Sequence, residues 1–101
     1  MFYVYIIQDC DRPDRFYVGF SSDLKRRLVE HNSGSNHSTR GRRWRLVYYE
    51  AYLTKDAAIK RELVLKGDGR TRRHLMDRIN AMLSEHGAIE PFIGGEWQTG
   101  E

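Results

Sequence analysis

Across the stretch Phe16–Asn32, FYVGFSSDLKRRLVEHN, the hydrophobic period changes from two to about 3.6 over a pair of serines, so a strand must run directly into a helix there. Strand alternation puts Phe16, Val18 and Phe20 on one face and Tyr17 and Gly19 on the other, which turns Tyr17 away from the Phe/Val packing. Ser21 or Ser22 is suited to cap the helix, Asp23 to sit in its first turn, and Gly34 to stop it after Asn32. At about 100° per residue, Arg27 and His31 fall on the edge of the Leu24/Leu28 stripe, whereas Arg26 points to solvent. Taken singly, Arg27 and His31 read as a snorkelling arginine and a helix-terminal histidine.

The rest of the chain supplies partners for this unit. Phe2–Ile7 carries apolar residues on both alternating faces, as a strand buried on both sides does, and Asp9–Asp14 with Pro13 supplies a turn into an antiparallel hairpin. That hairpin can bring Tyr5 and Tyr17 to one sheet face, where two tyrosines are ordinarily packing residues. Trp44–Tyr52 is aromatic and β-branched, a third strand; Thr54 caps a second helix that ends at Gly67. A third helix opens at the basic cluster Arg70, Arg72, Arg73 and His74, and it repeats Leu75, Ile79 and Met82/Leu83 at helical spacing, as core or as a partner surface. The order β-β-α-β-α-α implies an α+β domain over residues 1–87, with a small three-stranded antiparallel sheet covered by helices. Residues 88–101 form an acidic, glycine-containing tail with no assigned role.

Charge is divided unevenly. Residues 1–74 carry 16 Lys/Arg against 9 Asp/Glu, while residues 75–101 carry 1 against 5, so the basic body is the part suited to a polyanion. In 101 residues there is room for one modest core and none for a separate substrate domain. The single cysteine, Cys10, excludes an internal disulfide and a cysteine-based zinc cluster. No apolar run is long enough to span a bilayer and the first residues are strand-like, so the expectation is a cytoplasmic protein without a membrane partner.

Two further features carry chemistry. Ser33–Arg43 has no apolar residue, and its Arg40, Arg42 and Arg43 either solvate a mobile connection or contact phosphates, which match arginine's planar fork. Glu62 falls inside the apolar arc of the second helix and needs a cation, a metal ion or a hydrogen-bond donor there, with Lys66 one turn on as the structural candidate.

Tyr17-Val18-Gly19 followed by Arg27 and His31 resembles the second half of the GIY-YIG nuclease signature, and Tyr3-Val4-Tyr5 resembles the first half, with Tyr3 where the family has its opening glycine. The resemblance to the small stand-alone bacterial proteins of that family extends over about residues 1–70, including His31-Asn32, Thr39-Arg40 and the Arg61-Glu62 to Lys66 spacing. It implies a metal-dependent endonuclease acting on nucleic acid, with DNA the expected substrate and one Mg²⁺ or Mn²⁺ ion as the cofactor, without a small-molecule cofactor. It further implies catalytic roles for Tyr5, Tyr17, Arg27, His31 and Glu62, with Glu62 as the metal ligand. Lys66, Arg40, Arg42, Arg43, Arg70, Arg72 and Arg73 are the expected nucleic-acid contacts. The alternative is a binding module of the same fold with little or no turnover; more remotely, the third helix and tail would make a protein-interaction domain.

Overall fold

Six elements follow the expected order: β1 (Phe2–Asp9), β2 (Phe16–Ser21), α1 (Leu24–Asn32), β3 (Trp44–Tyr52), α2 (Lys55–Gly67) and α3 (Gly69–His86). The computed structural model describes residues 1–35 and 39–86; the middle of the arginine-rich loop and the acidic 88–101 segment lie outside the described residues.

The three strands form an antiparallel sheet in the order β2-β1-β3. The central strand β1 is therefore covered on both faces, which is what its uninterrupted apolar sequence requires. Val4 and Ile6 face α2 and α3, packing with Val18, Val47, Ala58, Leu65, Leu75 and Ile79. Tyr5 and Ile7 face α1, packing with Leu28 and Trp44. A register shift between Ile6 and Ile7 pairs them with Tyr48 and Leu46, so Val47 is the extra residue. This bulge lets the consecutive residues Val47 and Tyr48 both join the α2/α3 side of the core.

Local chemistry sets the boundaries. Asp23 caps α1, accepting the Arg26 amide through its carboxylate. That corrects the expectation of a serine cap with Asp23 inside the first turn: Ser21 is the last residue of β2, and its hydroxyl instead closes a tight turn with the Asp23 backbone. Thr54 caps α2 as expected, and Gly67 ends it. Asp68 alone joins α2 to α3, its amide bonding to Val64 O and its carboxylate accepting the amides of Arg70 and Thr71. Arg72 Nη1 reaches back to the carbonyls of Leu65 and Lys66, satisfying two orphan acceptors at the α2 C-terminus and fixing the two helices.

Candidate active site

The register Tyr5↔Gly19 and Ile7↔Tyr17 sets both tyrosines on the α1 face of the sheet, diagonally across neighbouring strands. Gly19 is needed there: a Cβ at that position would overlap the Tyr5 hydroxyl and ring. The Tyr5 ring thus lies across the β2 backbone and extends toward α1. Its hydroxyl meets His31 Nε2 at 2.7 Å, and both residues are fully buried. The Tyr17 ring, only partly buried, lies 6.2 Å from the same imidazole.

Arg27 completes this cluster from one turn earlier on α1. Its Nη1 donates to Glu30 Oε1 at 3.0 Å, and the Tyr5 hydroxyl is a second hydrogen-bonding neighbour. Burial pulls the guanidinium pKa down, but the Tyr5 and Glu30 oxygens outweigh it and leave it raised, so Arg27 is a permanent cation held in place. The helical-wheel contrast holds, with the Arg26 side chain 64% exposed and that of Arg27 24%. Both arginines engage Glu30, Arg26 at 3.7 Å and Arg27 at 3.0 Å.

His31 is strongly perturbed. Burial, reinforced by the nearby Arg27 charge, lowers its pKa to about 2, so the ring is neutral at physiological pH. A neutral imidazole can hold the Tyr5 hydroxyl but cannot serve as an imidazolium acid. Tyr5 and His31 are therefore placed as the floor of the site, beneath the more accessible Tyr17 and Arg27.

Glu62 and Lys66 arrive from α2 on the β2 side. Lys66 Nζ stands 5.5 Å above the centre of the Tyr17 ring and 3.0 Å from Glu62 Oε2. The i,i+4 pairing expected as the structural reading of Glu62 is thus present, and it lies in contact with the tyrosine cluster rather than apart from it. Among the described residues no group of three or more His, Cys, Asp or Glu side chains could hold a metal ion. Glu62 Oε1 has no hydrogen-bond partner among the described residues, so this carboxylate would offer a hard cation one oxygen, with water and substrate oxygens completing its shell.

The expected phosphate contacts divide. Arg42 pairs at 3.8 Å with the buried carboxylate of Asp9, which also holds Arg15 and the amides of Asp11 and Arg12, and Arg43 pairs with Asp11 at 3.0 Å. These arginines tie the loop before β3 to the β1–β2 turn. Arg40 is exposed and donates to Gly34 O, where the backbone φ of +83° suits glycine. Arg72 is occupied by the α2 carbonyls, while Arg70 and Arg73 are exposed on α3, away from the tyrosine cluster. Sequence reasoning anticipated the Arg26–Glu30 pair but missed the Arg27–Glu30 pair and the role of Asp9; an aspartate opening a turn beside arginines was the available signal for the last.

The GIY-YIG catalytic-domain profile matches residues 1–81. A UPF0213 protein of Haloquadratum walsbyi is 38% identical over 73 residues, covering 70% of this chain and 80% of its own length. A UPF0213 protein of Staphylococcus saprophyticus is 33% identical over 73 residues, at 70% and 87% coverage, and one of Streptococcus pyogenes is 35% identical over 68 residues, at 63% and 70%. No solved structure matches the chain significantly. No helix among the described residues is long and apolar enough to cross a membrane.

Proposed function

The chain belongs to the GIY-YIG catalytic-domain family, and from that premise we propose that it is a divalent-metal-dependent endonuclease hydrolysing phosphodiester bonds in nucleic acid, with DNA as the preferred substrate. The observation that carries this reading is the convergence of Tyr5, Tyr17, Arg27, His31 and the Glu62–Lys66 pair, drawn from four elements, at the β2 edge of the sheet.

Hydrolysis forms a bond from a water oxygen to phosphorus and breaks one to a sugar oxygen, with the proton lost by the water made good at the departing oxygen. Tyr17 orients the attacking water and accepts its proton. Free tyrosine, with a pKa of about 10, is a weak base, so in this scheme its principal task is to orient the water. Arg27 donates to the phosphoryl oxygens as their charge grows; because Glu30 and Tyr5 already fix it, little reorganisation is needed. Tyr5 and His31 touch no substrate in this scheme and act as positioning residues, the neutral imidazole holding the phenol against the guanidinium. Glu62 would hold the cation, which when bound supplies neutralising charge on the leaving-group side. Lys66 and Arg40 provide further backbone contacts.

One observation favours the binding-module reading, namely that Lys66 already occupies one oxygen of the Glu62 carboxylate. Labelled duplex, branched and single-stranded DNA and RNA, each incubated with Mg²⁺, Mn²⁺ or EDTA, distinguish the two. The nuclease reading requires cleavage of at least one substrate that chelation abolishes. Binding that is indifferent to EDTA, with no product under any condition, would favour the module.

A further inference from the structure

A second cationic site lies at the opposite edge of the sheet. A cleft of about 450 Å³ between α2 and α3 is lined by Arg61, Arg70, Thr71, His74, Leu75 and Arg78, with no carboxylate among its walls. Arg70, His74 and Arg78 follow one another at i, i+4 and i+8, a row on one face of α3 with a spacing of about 6 Å. None of the three forms an ion pair among the described residues. Asp77 lies in the adjoining depression with Arg70, Arg73 and His74 and does not enter this one.

Arg61 forms a prepared wall of the cleft. Its Nε and Nη2 each donate to Glu50 at 2.9 Å, and that carboxylate also accepts the hydroxyls of Tyr48 and Tyr52. Four donor atoms on one carboxylate hold the guanidinium in a single orientation and leave Nη1 without a partner among the described residues. A fixed arginine, already half-neutralised by Glu50, beside two arginines and a histidine that form no ion pair among the described residues leaves a net positive lining without a carboxylate, the composition of an oxyanion site.

We propose that this cleft binds a backbone phosphate of nucleic acid, on a segment separate from the one held at the tyrosine cluster. The separation follows from α2, which sends Lys66 toward Tyr17 on β2 and Arg61 toward Glu50 on β3. These are the two edge strands, about 10 Å apart across β1, and the cleft is formed by α2 and α3 on one face of the sheet whereas Tyr5 and Tyr17 lie on the α1 face, so the two sites present phosphates to different faces. Substrates offering two backbone segments, as branched or sharply bent nucleic acid does, engage both. This inference rests on the nucleic-acid reading above but not on catalysis.

The test is salt-dependent binding of labelled branched and linear duplex DNA measured in EDTA, where nothing is cut. Arg70→Gln/Arg78→Gln should weaken binding of the branched substrate by roughly 50-fold at 0.1 M salt and flatten the log–log salt slope by roughly 1.8, at an unchanged melting temperature. A matched variant, Arg12→Gln/Lys55→Gln, removes the same charge elsewhere and should change the slope far less. Equal slopes for the double variant and the unsubstituted protein would overturn the proposal. So would equal effects of the two variants, or no salt-dependent binding by the unsubstituted protein. Competition by inorganic phosphate at constant ionic strength reads the other source of this chemistry: loss of phosphate binding with DNA binding retained would make the cleft a free-anion site and likewise overturn it. Absence of cleavage with the predicted slopes would sink the nuclease reading and leave the cleft standing.

Discussion

The Tyr5 hydroxyl and His31 Nε2 are 2.7 Å apart in a region from which solvent is excluded, joining the central strand to the last turn of α1. Because His31 also faces the Arg27 charge, it is kept neutral at a cost to the protonated form, and the folded pKa of about 2 lies below the ordinary 6.5.

That depression has a definite sign. The unfolded chain binds the proton more readily, so the stability contributed by neutral His31 is complete above about pH 6.5 and is lost progressively as pH falls toward about 2. Denaturant midpoints between pH 7.5 and 4.5 should show the unsubstituted protein losing up to about 1.4 kcal/mol per pH unit more than His31→Gln. Parallel pH profiles would mean that His31 titrates normally.

Gly19→Ala tests the packing that lets Tyr5 reach its place. The added methyl would overlap the Tyr5 ring over a β2 backbone that cannot withdraw, and overpacking of this kind costs about 1–3 kcal/mol. Tyr5→Phe in the same background leaves the steric conflict at the ring carbons, so it should recover little. Urea unfolding of the single and double variants measures both.

Much of this arrangement was legible in the sequence because it is local. The Phe16–Phe20 alternation and the Leu24/Leu28 stripe fixed which way Tyr17, Arg27 and His31 face, and those directions survive in the fold. What was not legible depends on pairs brought together from afar. Asp9 and Arg42, or Glu50 and Arg61, meet only once the strand register is set, and the shift at Ile6/Ile7 cannot be seen from β3's own alternation. The cap at Asp23 went to the wrong residue for a related reason: two serines and an aspartate all cap well, and only the end of β2 decides among them.

Glu62 and Lys66 separate structure from chemistry. Lys66 is substantially exposed, so their i,i+4 pair contributes under about 0.5 kcal/mol, and either Glu62→Gln or Lys66→Met should leave the melting temperature nearly unchanged. Glu62→Gln should nevertheless abolish metal-dependent cleavage while nucleic-acid binding persists. Lys66→Met should slow cleavage without abolishing its metal dependence. Identical kinetic losses in the two variants would indicate that Glu62 serves only its neighbour.

Arg26 and Arg27 provide the most direct measurement, since they are adjacent, chemically identical and both engaged with Glu30, yet only Arg27 is also beside Tyr5. Single-turnover cleavage should fall by roughly 10² or more in Arg27→Ala, the loss expected when a preorganised donor to the phosphoryl group is removed. Arg27→Lys should recover little of it, because a point charge lacks the planar fork, and Arg26→Ala should change the rate by only a small factor. Equal, small losses at both positions in folded protein would contradict catalysis at the tyrosine cluster.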